Sequence, residues 1–167
     1  MLPETWRKSS IKNRIVIQPN SGMQKKNSSL QFWNKISRQL LDQNFEVIWN
    51  VSAAQATEYK KKCHSNILMP ETSLPELAKL IFESKAILGN NSGPIHLASL
   101  LGCPSFLIHY PKRFQFNWTA DINAASQSIT PGIFPFLLRP LMKHDNYKNT
   151  LSHHKAIKEI LLFLDDL

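Results

Sequence analysis

A chain of 167 residues, 43% of them hydrophobic and 19% charged, has the length and composition of one soluble globular domain with a real core. No apolar run approaches the roughly 18 residues of a membrane span, and Met1 to Lys12 holds no apolar stretch of the secretory kind. The net charge of +8 favours anionic partners such as nucleic acid, a nucleotide diphosphate or an anionic membrane surface. The basic-aromatic, zinc-finger and basic-zipper patterns of nucleic-acid binders are missing, which argues against nucleic acid. Cys63 and Cys103 lack metal-ligand spacing and read as reduced thiols of a cytoplasmic protein.

Met1 to Ser10 is polar and irregular, so residues 1–12 read as an N-terminal arm or the remnant of a linker, and 13–167 as the domain. Arg14-Ile15-Val16-Ile17 is the first predicted strand, short and apolar as buried parallel strands are. Gln18-Pro19-Asn20-Ser21-Gly22 breaks it, and Lys25 and Lys26 follow. Phe32, Trp33, Ile36, Leu40 and Leu41 recur at helical spacing and predict a helix from about Ser29 to Gln43. Glu46 to Val51 is a second strand and Ala53 to Lys62 a short polar helix, its Lys60-Lys61-Lys62 end solvated. Ile67-Leu68-Met69 is a third strand. Ser73 and Glu76 have capping-box spacing and open a helix bearing Leu77, Leu80, Ile81 and Phe82.

Lys85 to Leu88 and Ser105 to Ile108 are two further strands around a turn and a helix. Ser92 or Gly93 caps that helix, Pro94 sits in its first turn, Gly102 suits the left-handed residue that ends it, and Pro104 stops continuation. A turn of this kind points backbone N–H groups and the positive end of a helix dipole outward, as phosphate requires. Ser92, His96 and Ser99 share one face of the helix. The other positions are nearly all apolar, so the helix is expected to be largely buried. The residues alone leave His96 open between a core hydrogen bond and a ligand contact.

Strand and helix alternate five times, which predicts a parallel sheet covered on both faces, with ligands beyond the carboxyl ends of the strands. Both polar loops leave such ends and are expected to meet in one crevice. His109 to Thr150 is less regular. Tyr110 to Trp118 combines aromatics with two cations, suited to stacking a base or to packing on the domain. Ile133 to Met142 is apolar but broken by two prolines, suited to docking on another domain or a membrane surface. A last helix runs from about Ser152 to Asp165, with Ile157, Ile160, Leu161 and Leu164 on one face.

Asn91-Ser92-Gly93-Pro94-Ile95-His96-Leu97-Ala98, followed by Leu101-Gly102-Cys103-Pro104, resembles the C-terminal signature of glycosyltransferase family 9, the lipopolysaccharide heptosyltransferases. Asn91 stands where that family more often has aspartate. The earlier strand, Pro19-Asn20-Ser21-Gly22, the two lysines and the Trp-bearing helix resemble the family's first phosphate-side loop. The resemblance implies an α/β Rossmann-like domain, the C-terminal half of a GT-B glycosyltransferase. It implies a nucleotide-sugar donor, commonly ADP-heptose, held by Asn20, Ser21, Lys25 or Lys26, Asn91, Ser92, Gly93, Pro94 and His96. The acceptor would be of lipopolysaccharide type, reached through an N-terminal domain at the inner membrane.

In that family the general base is an aspartate of the N-terminal domain. Nothing before Arg14 supplies such a domain, so this chain is expected to bind donor and not to transfer sugar alone, and no catalytic residue is assigned. No metal or other cofactor is expected. The Asp-x-Asp pair of metal-dependent transferases does not occur, and the only adjacent acids are Asp165-Asp166. Two other readings are a non-catalytic nucleotide-binding module and a sugar-nucleotide epimerase-like domain. The latter usually carries glutamate a turn after its Ser-Gly helix start, where this chain has His96 and Ala98.

Overall fold

The computed structural model describes residues 11–22, 27–108, 126–129 and 153–167. Five parallel strands form one sheet: β1 (Ile11–Gln18), β2 (Glu46–Trp49), β3 (Ser84–Asn90), β4 (Ser105–Ile108) and β5 (Ser126–Ile129), in the order β2-β1-β3-β4-β5. Five helices accompany them: α1 (Leu30–Asp42), α2 (Ala53–Tyr59), α3 (Leu74–Phe82), α4 (Gly93–Leu101) and α5 (His153–Asp165).

The period of two along each strand divides the core between the sheet's faces. Ile15, Ile17, Trp49, Leu88 and Phe106 point to one face, where Trp33, Ile36 and Leu40 of α1 and Ile160 and Phe163 of α5 cover them. Val16, Ile87 and Leu107 point to the other, under Leu77 and Ile81 of α3 and Ile95 and Ala98 of α4. Strands covered on both sides are continuous apolar runs, which is why Arg14–Ile17 and Lys85–Leu88 were legible.

Several expectations need correction. The third strand is one bridge only. Leu68 donates to the Val47 carbonyl at 3.0 Å and accepts from Trp49 N–H at 2.8 Å. A turn closed by Ile67 N–H on the His64 carbonyl precedes it, and Pro70, which has no N–H, follows Met69. Pairing therefore cannot extend. Counted as a sixth strand, Leu68 lies outside β2 and completes the doubly wound order. β5 lies within the segment expected to be irregular. Ser126-Gln127-Ser128-Ile129 is mostly polar because it is an edge, with only Ile129 buried.

Helix α4 is not largely buried either. Ile95, Ala98 and Ser99 face the core, while Leu100 is 73% exposed. Only one side of α4 meets the sheet, so apolar residues all round did not mean burial all round. In α5 the buried stripe is Ala156, Ile160, Phe163 and Leu164, turned from the expected face, with Ile157 and Leu161 at its margin. Helix α2 stops at Tyr59, and Lys60, Lys61 and Lys62 form its exposed end.

Candidate functional site

Chain order reverses between β1 and β3. From β1 the chain moves outward to β2, and from β3 it moves the other way to β4 and β5. The crevice beyond the carboxyl ends at such a switch point is where ligands of open α/β sheets bind. Gln18 and Gly89 are partners in register at these ends. A Cβ on Gly89 would stand 2.8 Å from Gln18 Cβ and 2.9 Å from its carbonyl oxygen, so glycine here allows the strand ends to approach.

Amide side chains tie the two loops together. Asn90, fully buried at the end of β3, donates from Nδ2 to the Pro19 carbonyl at 2.6 Å. Its Oδ1 accepts from Ser28 N–H and from Ser28 Oγ, each at 3.3 Å. Gln18 donates from Nε2 to the Asn20 carbonyl at 2.6 Å and accepts at Oε1 from Asn50 Nδ2 at 2.6 Å. Asn27 Oδ1 accepts from Ser21 N–H at 2.6 Å and from Ser21 Oγ at 2.8 Å. The described ends of the loop after β1, residues 19–22 and 27–29, are thus tied to β1, to β3 and to each other.

Beside that loop opens a cleft of about 500 Å³, lined among the described residues by Asn20, Ser21, Gly22, Asn27, Ser28, Ser29, Gln55 and Tyr59. Tyr59 forms one wall of it. Its hydroxyl accepts from Asn20 Nδ2 at 3.1 Å, and its ring stands edge-on to Trp49 with centroids 6.0 Å apart. Trp49 is itself fixed by donating from Nε1 to Ser37 Oγ at 2.8 Å.

The second loop leads into α4. Ser92 is the residue before the helix, in extended conformation, yet its hydroxyl donates to the Asn90 carbonyl at 2.9 Å and does not cap the helix. Pro94 stands in the first turn, and Gly102 ends the helix in the left-handed region at φ 70°, as the sequence predicts. Gly93 has no neighbour within 4 Å of where a Cβ would lie. His96 Nε2 lies 3.0 Å from Asn91 Oδ1. An amide oxygen only accepts, so this contact places a proton on Nε2.

The candidates divide accordingly. Asn20 and Ser21 line the cleft, whereas Asn91, Ser92, Gly93, Pro94 and His96 gather at the start of α4, outside its lining. Ser28 joins the groups, since it lines the cleft and bonds Asn90. Lys25 and Lys26 lie outside the described residues, as do Tyr110–Trp118 and Ile133–Met142. Trp33 of the first motif is core, edge-on to Phe32. Sequence reasoning missed Gln18, Asn90, Gln55 and Tyr59. Only the polarity of Gln18 and Asn90 at the ends of apolar strands could have drawn attention to them. Among the described residues no group of three or more His, Cys, Asp or Glu side chains could hold a metal ion, and no helix is long and apolar enough to cross a membrane.

The family model of glycosyltransferase family 9 (heptosyltransferase) matches residues 4–124. The chain belongs to that family. No curated protein matches it. ADP-heptose LPS heptosyltransferase II of E. coli superposes with a TM-score of 0.77 at 19% identity, over 99% of this chain and 53% of that one. A family 9 glycosyltransferase from Veillonella parvula gives 0.75 at 13% identity, over 100% and 53%. E. coli heptosyltransferase WaaC with ADP gives 0.70 at 14% identity, over 97% and 46%. At these identities the likeness is one of fold. It establishes the parallel-sheet, Rossmann-like architecture of the heptosyltransferases, and the chain spans about half the length of the solved structures it matches.

Proposed function

We propose that the chain from β1 onward is the nucleotide-sugar-binding half of a family 9 glycosyltransferase, the C-terminal one. β1 begins at Ile11, so the domain takes in residues 11 and 12, which sequence alone assigns to the arm. The observation that carries this is the joining of the two loops: Ser28 of the first bonds Asn90 at the head of the second, which puts both motifs on one crevice. The Gly93 N–H, the positive end of the α4 dipole and a lysine of the first loop would hold the diphosphate, while Ser21, Asn20 and Tyr59 shape the cleft beside it. Asn91 would orient the ring through Nε2, and His96 Nδ1 would accept from a hydroxyl of the donor.

WaaC of E. coli is solved with ADP and with ADP-2-deoxy-2-fluoro heptose, which favours an ADP-linked sugar as the ligand class here. The reaction would be transfer of that sugar to a lipopolysaccharide-type acceptor by a cytoplasmic enzyme at the inner membrane. The acceptor hydroxyl needs a general base. Neither described loop carries an acid, Glu46 is held by Arg14 at 2.6 Å and Glu76 by Ser73, so the base would come from elsewhere.

Calorimetric titration with ADP tests the placement. Gly93→Val has open space for its side chain and is not at a left-handed φ. The proline that follows disfavours a branched residue in the helical region, so Gly93→Ala is the milder companion variant, and melting curves of both should show that the fold is kept. Gly93→Val should lose measurable ADP binding, because the valine occupies the approach of the phosphate. Equal affinity in Gly93→Val and the wild type would place the ligand elsewhere.

A further inference from the structure

Behind the residues that line the cleft, amides stand at the ends of three neighbouring strands, Asn50 after β2, Gln18 on β1 and Asn90 on β3. We infer that Asn90 is a positioning residue that holds the loop after β1 in its ligand-binding shape before any ligand arrives. The inference rests on the reading of this crevice as a diphosphate site.

Pro19 and Ser28 stand at the two ends of that loop, and one fully buried side chain bonds both, giving a proton to the first and accepting two from the second. Of the side chains of this size, a primary amide offers donor and acceptor at this spacing at every pH. An ionised carboxylate would set oxygen against the Pro19 carbonyl, and an apolar residue of the same size would leave three polar groups unpartnered. Gln18 acts in parallel on the next carbonyl, Asn20, and is itself oriented by Asn50. A loop fixed in the empty protein need not be ordered when the ligand binds, and that saving appears directly in affinity.

Asn90→Asp tests this, because the introduced carboxyl changes only the donor. Ionised, it can still accept from Ser28 but cannot donate to Pro19. Protonated, it can do both. Burial raises its pKa, so the defect should be present at about pH 8 and relieved at about pH 5. His96 and Tyr59 are the titratable groups of the described crevice, and Lys25 and Lys26 belong to the same loop, so wild type at both pH values is the reference.

Hydrogen-exchange protection of the Ser21 and Ser28 amides in the ligand-free protein should fall at the higher pH and recover at the lower, with the sheet amides unchanged. ADP affinity should weaken about tenfold at the higher pH and recover in step. If the carboxyl prevents folding, Ser28→Ala, which removes a single contact at a half-exposed position, should show the same exchange change with about a twofold loss of affinity. Wild-type exchange and affinity in the variants would overturn the inference, as would protection lost evenly across the sheet, which marks a purely structural role. Failure of the wild type to bind ADP would overturn the diphosphate reading, while exchange would still decide whether Asn90 holds the loop.

Discussion

Helices α1, α2, α3 and α4 all begin just after a serine, and the starts of the first three differ from that of the fourth. Ser29 accepts from Phe32 N–H at 3.1 Å, and Ser52 from Gln55 N–H at 3.3 Å. At α3 the Glu76 carboxylate reaches back to Ser73 N–H at 2.7 Å and to its hydroxyl at 2.6 Å. At α4 the serine turns away, giving its proton to the Asn90 carbonyl. The same residue type therefore closes or leaves open a helix start according to what else its hydroxyl can reach. At α4 Pro94 has no N–H and Ile95 N–H reaches the Ser92 carbonyl at 3.1 Å, so the uncapped start leaves the Gly93 N–H and the positive end of the dipole for an outside acceptor. Only α4 combines that with an open glycine, and it does so at the switch point of the sheet.

The largest effect that sharpens this contrast comes from charge. An open helix start offers N–H groups and a partial charge but not a full one, so a diphosphate also calls for a cation. One of Lys25 and Lys26 should supply a charge-assisted contact of roughly 1.5–3 kcal/mol, so its replacement by alanine should weaken ADP binding about tenfold or more, with the other nearly silent. Titration of the two single variants at low salt decides the matter. If both bind as the wild type does, the open start holds the phosphate unaided or the ligand sits elsewhere.

Much of this site was legible in the sequence, and the reason is physical. Glycine, proline and serine at strand-to-helix turns answer to local geometry, so the loop after β1, the loop before α4 and the left-handed Gly102 could be placed from residue types. The helix phase of α1 was legible too, because Phe32, Trp33, Ile36 and Leu40 all meet one sheet face. What failed depended on distant partners. Asn90 reaches Pro19 and Ser28 across more than sixty positions, and no local pattern encodes that. Leu68 looked like a strand because Ile67 and Met69 are buried, but pairing needs donors, and Pro70 has none. The exposed side of α4 was misread for a related reason, since Leu100 is apolar and yet 73% exposed.

A smaller effect separates closed from open starts by stability. Ser29→Ala removes a cap and should cost about 1 kcal/mol. Ser92→Ala removes no cap and takes one hydrogen bond from the Asn90 carbonyl, so its cost should not exceed that of the cap. Chemical denaturation of the two variants gives the difference directly. A larger loss for Ser92→Ala than for Ser29→Ala would mean that the turned-away hydroxyl supports the fold and that the start of α4 is not spare.

The smallest effect concerns pH and the start of α3. The Ser73 hydroxyl first, and its backbone N–H second, hold the Glu76 carboxyl below its ordinary value of 4.5. A carboxylate whose pKa is lowered in the folded state contributes stability at pH values above the unfolded pKa, and that contribution disappears as pH falls through the folded one. The wild type should therefore lose melting temperature on acidification from about pH 4.5 downward by more than Glu76→Gln does, the amide being unable to titrate. Because Glu76 is fully exposed and solvent screens the contact, the two acid limbs should differ only slightly. ADP affinity at neutral pH should be the same in both proteins. Melting curves taken across the acid range, paired with one titration at neutral pH, provide the check. Parallel acid limbs would remove Glu76 from the account of how α3 is closed. A change in ADP affinity would break the contrast itself, by showing that a closed start also reaches the ligand.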